Sequence, residues 1–288
     1  MKTSDIQALR AKVNYDLSPS ALDRWNPGIH AADSNSDTTI SVLDVIGQDY
    51  WTGEGVTAKR IAAALRSIGD KDVVVNINSP GGDMFEGLAI YNTLREHKGK
   101  VTVKVLGLAA SAASIIAMAG DEVQISRAGF FMIHNCWVLA AGNRHELREV
   151  ADWMEPFDKA MAGIYQERTG LDEKDIESQL DAESWIGGQA AVDQGFADSL
   201  LSRDSVYEDG SAQNQAFAAR KFDRAMAKSG MPRTERKKLF DEIKSSVRDA
   251  AGSGTPGATG HGTRDAVVND PATGIAATLS NNLLGVLK

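Results

Sequence analysis

The chain has 288 residues, 42% of them hydrophobic and 24% charged, with a formal net charge of −8. That length fits one large domain with appendages, or two domains, and the acidity argues against the whole chain binding nucleic acid. No apolar run reaches the ~18 residues needed to span a bilayer, the N-terminus lacks the continuous apolar segment of a secretory signal, and the single cysteine, Cys136, excludes an internal disulfide, so the expectation is a cytoplasmic protein with no membrane partner and no metal site.

Residues 1–38 are polar and broken by "LSPS", "NPG" and "ADSNSD", which reads as an irregular lead-in holding one short helix at most. "TISVLDVIG" (39–47) reads as a strand. In "GVTAKRIAAALRSIG" (55–69), Ile61, Leu65 and Ile68 recur on one helical face and Gly69 is the stop. "DVVVNIN" (72–78) is a β-branched run suited to a strand buried on both faces. The turn "SPGGD" leads into a helix over 84–97, and "KVTVKVLG" (100–107) is a further strand. Residues 108–119 read as a helix, and "EVQIS" and "FFMIH" as strands. A long helical pattern fills 143–169, where Pro156 is expected to bend or interrupt it and Gly170 to end it. "LDEKDIESQLD" is a short helix, and "SWIGGQAAVDQGFADSLL" reads as a turn, a helix near 187–194 and a terminal strand. "SVYEDGSAQNQ" is a linker, followed by two helices over 214–228 and 233–249. Their run of Lys and Arg from Arg220 to Arg248 reads first as a solvated surface and second as a face for an acidic partner. The Gly/Thr/Ala-rich stretch that follows reads as disordered, and the last residues, "IAATLSNNLLGVLK", as a weakly apolar end able to dock. Alternating strands and helices through the centre define an α/β class built from right-handed crossovers.

Three features of this pattern carry chemistry. In "INSPGGD" a buried strand runs into Gly81-Gly82, a turn without Cβ atoms whose backbone amides can hold negative charge. In "GLAASAAS", Ser111 falls at a strand-to-helix junction, where the helix field favours a developing anion; the plain alternative is an N-cap serine. Ser114, one turn on, reads as small packing filler. A nucleophilic serine needs a base. Of five histidines, His30 lies in the lead-in, His261 in the tail, and His97 and His145 among charged helix residues. His134 alone ends an apolar strand, where active sites of parallel sheets gather. Cys136, nearby, reads as a small hydrophobe. An orienting acid lies among the carboxylates of 172–198, and periodicity does not choose between them.

Together "INSPGGDMFEGLAIYNTL", "GLAASAAS", "MIHN" and "AVDQGFADSL" resemble the ClpP peptidase family, the serine proteases of the ClpP/crotonase fold, over about residues 39–203. The resemblance implies repeated β-β-α and βαβ units with a protruding handle helix at 143–169. It implies Ser111 as nucleophile, His134 as general base, and the amides of Gly82 and Ala112 as oxyanion hole. The family acid is an aspartate; the matching position here is Glu183 in "DAESW", with Asp181 as the alternative. No metal or organic cofactor is implied. Peptide or protein substrates are, and so are homo-oligomeric rings, with two stacked heptamers as the candidate arrangement and a Clp-type ATPase as a candidate partner.

The lead-in departs from the family's pore-lining loops, and the tail from 204 onward is extra. With "RKFDRAMAKSG" and "RTERKKLFDEIK", the pattern looks like the ClpP-related head maturation proteases of tailed bacteriophages and prophages, whose implied substrate is scaffold or capsid protein in the host cytoplasm or prohead. The expected organisation is a lead-in (1–38), a peptidase domain (39–203), a linker with basic helices (204–250) and a flexible tail (251–288). Two other readings stand beside it. One is a catalytically silent assembly scaffold on the same fold; the other is a crotonase-type enzyme acting on acyl-CoA, which needs the glycine turn but no Ser111/His134 pair.

Overall fold

The structure is a computed structural model that describes residues 13–15, 17–31, 37–48, 55–202, 206–208, 223, 226, 231 and 235–242. The expected tail, 251–288, and most of the expected helices over 214–228 and 233–249 lie outside the described residues.

The central sheet takes its strands in the order β10 (Ser199–Leu200), β6 (Glu122–Ile125), β5 (Val101–Ala110), β4 (Val73–Ser79) and β3 (Thr39–Val42), all parallel. β4 is buried along nearly its whole length, as its β-branched run predicts. β5 serves two partners. Thr102–Val105 pair with β6, and Leu108–Ala110 pair, again in parallel, with β7 (Phe130–Ile133). β9 (Ser184–Gly187) then adds to β7 in antiparallel register.

Helices cover this sheet. In α2 (Ala58–Ile68), Ile61, Leu65 and Ile68 are the buried residues, and Thr57 caps the first turn by accepting from the Arg60 amide. α3 (Met84–Arg95) packs on α2 and on the short α4 (Ala112–Ala117). Gly87 makes that close approach feasible, since a Cβ there would stand 2.9 Å from the Ala112 Cβ. The core joins Val75, Ile77, Val103, Val105, Ile90, Ile115 and Ile116, each no more than 1% exposed. Truncating one of these to Ala costs about 2–5 kcal/mol. Among the described residues no helix is long and apolar enough to cross a membrane.

Several expectations are corrected. Residues 108–110 are strand, not helix, because the backbone of Leu108–Ala110 pairs with β7 and extends β5; the helix is only Ala112–Ala117. The strand expected over 39–47 stops at Val42, and Ile46 makes a separate bridge to Gly82. α5 (Arg144–Thr169) runs unbroken through Pro156 and ends at left-handed Gly170. Pro156 lies on the exposed side and so does Asp152, so the Asp152 carbonyl that loses its amide partner faces water. "SWIG" is strand β9 rather than a turn. The expected linker contains β11 (Val206–Glu208), paired with β2 (Ile29–Ala31).

The described residues of the lead-in hold more regular structure than their composition predicts. β1 (Val13–Tyr15) pairs with β8 (Val138–Ala140), and α1 (Pro19–Arg24) follows. Ala21, Leu22 and Trp25 pack against Leu108, Ala110 and Met132, the ends of β5 and β7. Trp25 Nε1 donates to the Asn78 carbonyl of β4 at 3.0 Å.

Candidate active site

β5 and β7 end side by side. Ala110 is the register partner of Met132, and the Ser111 amide donates to the Met132 carbonyl at 2.8 Å. One residue beyond Ala110 and two beyond Met132, Ser111 and His134 come to the same edge. Ser111 stands at φ 53°, ψ −126°, a conformation that costs a non-glycine residue about 1–3 kcal/mol. This sharp strand-to-helix turn projects the side chain out of the sheet. Ser111 occupies the N-cap position of α4, but its hydroxyl makes no cap bond to that helix. Instead Ser111 Oγ lies 2.8 Å from His134 Nε2. With the imidazole proton on Nδ1, the hydroxyl donates to Nε2.

The strained turn is held from behind. The Ser111 carbonyl accepts from the Ser114 amide at 2.9 Å and from Ser114 Oγ at 2.5 Å. Ser114 Oγ has one proton and gives it to that carbonyl, so Tyr165 of α5 donates to Ser114 Oγ, at 2.7 Å. Ser114 and Tyr165 are 0% and 1% exposed. Burial raises the Tyr165 phenol above its ordinary range, which keeps that donor protonated. Ser114 is therefore a bonded strut and not mere filler. Neither it nor Tyr165 carried a signal in the sequence, where the two are 51 positions apart.

The Gly81-Gly82 turn sits against this corner. Gly81 has φ 90° and Gly82 φ 147°. A Cβ on Gly81 would stand 2.6 Å from the Ala110 carbonyl oxygen and 2.7 Å from the Ser111 Cβ; one on Gly82 would stand 2.1 Å from the Ile46 carbonyl oxygen. The turn is pinned by Ile46 N to the Gly81 carbonyl (2.8 Å) and Asp83 N to the Ile46 carbonyl (3.0 Å). The carboxylate of Asp83 takes the Phe85 and Glu86 amides at the start of α3. Those helix-start donors are thus occupied within the chain. Among the described residues no hydrogen bond engages the amides of Gly82 or Ala112. Both residues line one open pocket with Ser111, His134, Met84 and Met161.

His134 is largely enclosed, and burial draws its pKa below the ordinary histidine value, with the Glu183 carboxylate pulling the other way. Its imidazole is therefore neutral near pH 7, the form that accepts a proton. Antiparallel register sets Ile133 opposite Ser184, so Glu183 comes next to His134 across the strand pair. Glu183 has φ 50° and accepts a hydrogen bond from the Ser20 hydroxyl of α1. No hydrogen bond joins Glu183 to His134; their coupling is through charge. Asp181 is exposed and accepts from Asn135 Nδ2 at 2.6 Å. Cys136 is buried, its thiol pushed up to about 12 by burial first and by Asp158 second. Its amide donates to Asp158 Oδ1 at 2.6 Å. Among the described residues no three His, Cys, Asp or Glu side chains form a group that could hold a metal ion.

The Clp protease family model matches residues 54–204. The chain is 32% identical over 165 residues to the ATP-dependent Clp protease proteolytic subunit 1 of Prochlorococcus marinus (strain MIT 9312), covering 54% of this chain and 85% of that protein. It is 29% identical over 196 residues to the ATP-dependent Clp protease proteolytic subunit of Ligilactobacillus salivarius, covering 65% of this chain and 96% of that protein. A solved ClpP1 variant from Listeria monocytogenes is similar at 24% identity and a TM-score of 0.49, over 58% of this chain and 94% of that one.

Proposed function

The chain belongs to the Clp protease family, and from that premise we propose that it hydrolyses peptide bonds with Ser111 as nucleophile, His134 as general base and Glu183 as the orienting acid. The observation that carries this reading is the 2.8 Å approach of Ser111 Oγ to a neutral His134 Nε2. Ser111 Oγ attacks the peptide carbonyl carbon as its proton passes to Nε2. The carbonyl oxygen becomes an oxyanion beside the amides of Gly82 and Ala112. The C–N bond then breaks, the imidazolium gives its proton to the leaving amine, and water repeats the sequence on the ester. Glu183 stabilises the imidazolium by its charge. Asp181, bonded to Asn135 at the surface, is the weaker candidate for that role.

Loss of the hydroxyl removes the nucleophile. Ser111→Ala should retain the fold and oligomer, lose labelling by a fluorophosphonate, and lose peptide hydrolysis; an active Ser111→Ala chain would refute the assignment. The same pair of residues speaks against a silent scaffold and against acyl-CoA chemistry, neither of which requires a serine bonded to a histidine.

The finer reading is a head maturation protease working on scaffold or capsid protein, as a homo-oligomeric ring in the cytoplasm or prohead. It rests on the sequence beyond the matched region, residues 205–288, which includes the basic run from Arg220 to Arg248. The handle assignment is supported by α5, a 26-residue helix of which only Val150, Met161, Ala162 and Tyr165 are buried. Co-expression with the neighbouring capsid protein, comparing the unaltered chain with Ser111→Ala by intact mass, tests substrate and self-processing together. Capsid fragments in both samples, or in neither, would refute this substrate.

A further inference from the structure

Resting on the triad reading above, we infer that Ser20, from the segment ahead of the family-matched region, is a positioning residue for the acid Glu183. The Ser20 hydroxyl donates to Glu183 Oε1 across 163 positions of sequence. A carboxylate can only accept, so the Ser20 proton lies on this bond. Ser18 Oγ is 3.0 Å from Ser20 Oγ. With the Ser20 proton committed to Glu183, Ser18 is the donor in that contact, and a short hydroxyl chain ends on the carboxylate.

The donor is carried on a fixed platform. α1 packs Ala21, Leu22 and Trp25 onto Leu108, Ala110 and Met132, the residues just ahead of Ser111 and His134. Trp25 is tied to the Asn78 carbonyl of β4, the strand that leads to the Gly81-Gly82 turn. The Arg24 guanidinium lies 4.2 Å above the ring of Trp185, two residues beyond Glu183. The same helix therefore touches the strands bearing nucleophile, base and oxyanion turn, and presents Ser20 to the acid.

Glu183 needs such a partner. Its side chain has one more rotatable bond than aspartate, it sits at φ 50°, and no hydrogen bond ties it to His134. A donor on Oε1 holds the carboxylate beside the imidazole and leaves Oε2 free to accept from Nδ1 when His134 becomes charged. Hydrogen bonds to ionised groups are the stronger kind, and they fix geometry as well as energy.

The test uses the full chain, a fluorogenic peptide and four variants: Ser20→Ala, Ser20→Thr, Glu183→Gln, and Ser20→Ala with Glu183→Gln. Ser20→Ala should lower kcat about tenfold with KM unchanged. It should also move the acid limb of the kcat/KM profile to lower pH, because a freed carboxylate pulls less on His134. Ser20→Thr, which keeps the hydroxyl, should restore kcat to within about twofold. In the Glu183→Gln background, removal of the Ser20 hydroxyl should have no further effect. Activity of Ser20→Ala equal to that of the unaltered chain overturns the inference. So does an equal loss in both backgrounds, which would mark a general loosening of α1. An active Ser111→Ala chain would instead refute the triad reading, so the two failures are distinct.

Discussion

Glu183 stands beside His134 because Ile133 and Ser184 are register partners in an antiparallel pair. Strand pairing, not proximity in sequence, sets which carboxylate the imidazole feels. Asp181, two positions earlier, is turned to the surface and to Asn135.

Glu183→Gln should therefore lower kcat by about 10²–10⁴, whereas Asp181→Asn should change it less than about threefold. The pH dependence has a definite sign. Burial lowers the His134 pKa, and the Glu183 charge opposes that fall. The base form is the neutral one, so kcat/KM rises with pH through a limb below the ordinary histidine value of about 6.5. Removing the carboxylate lets the pKa fall further, and the limb moves to lower pH while the plateau drops. Steady-state kinetics of both variants across the acidic range checks this. A larger loss for Asp181→Asn would transfer the role.

Gly82→Ala should abolish activity and lower the melting temperature, because the new Cβ would stand 2.1 Å from the Ile46 carbonyl at φ 147°. Gly81→Ala should behave alike, pushing on the Ser111 Cβ at 2.7 Å. Gly170→Ala is the control. It shares a positive φ of 71° but meets nothing within 4 Å, so it should cost about 1 kcal/mol of stability and leave kcat unchanged. Calorimetry alongside a peptide assay separates strain from chemistry.

Ser114→Ala removes the side-chain bond to the Ser111 carbonyl and leaves the buried Tyr165 hydroxyl without its acceptor. A destabilisation of about 1–3 kcal/mol is expected, with a fall in kcat from a less firmly held nucleophile. Tyr165→Phe removes only the outer donor and should cost less, about 0.5–1.5 kcal/mol. Denaturant melts of the two variants and their double give the order. Equal losses for both would mean that the bond to the Ser111 carbonyl contributes nothing.

Cys136 should resist alkylation by iodoacetamide at mildly alkaline pH until the protein unfolds. Its thiol is buried and pushed up to about 12, so almost none is thiolate. Rapid modification of the native chain, read by mass, would contradict that environment.

The parts of this molecule legible in its sequence are those set by local pattern. Ile61, Leu65 and Ile68 show the helical period of α2, and the β-branched run of β4 shows a doubly buried strand. Ser111 and His134 were legible because each follows an apolar strand. The glycine turn was legible because no other residue fits φ 90° and 147° in so little space. What escaped is held by tertiary contact. Leu108–Ala110 have a composition that suits a helix as well as a strand, and pairing with β7 decides the matter. β9 is too short to show a period. Ser20 sits among breakers, 163 positions from its partner, and no pattern spans that distance.

The exchange of partners along β5 bears on which changes in chain length the protein tolerates. Its first half answers to β6 and its second half to β7, so the residues joining α4 to β6 and β6 to β7 are outside the frame that aligns Ser111 with His134. Insertions or deletions there would alter a loop and spare the alignment. A single residue gained or lost between Phe130 and His134 would send alternate side chains to the opposite face. The histidine would then point away from the serine, with nearly all of the protein's composition unchanged.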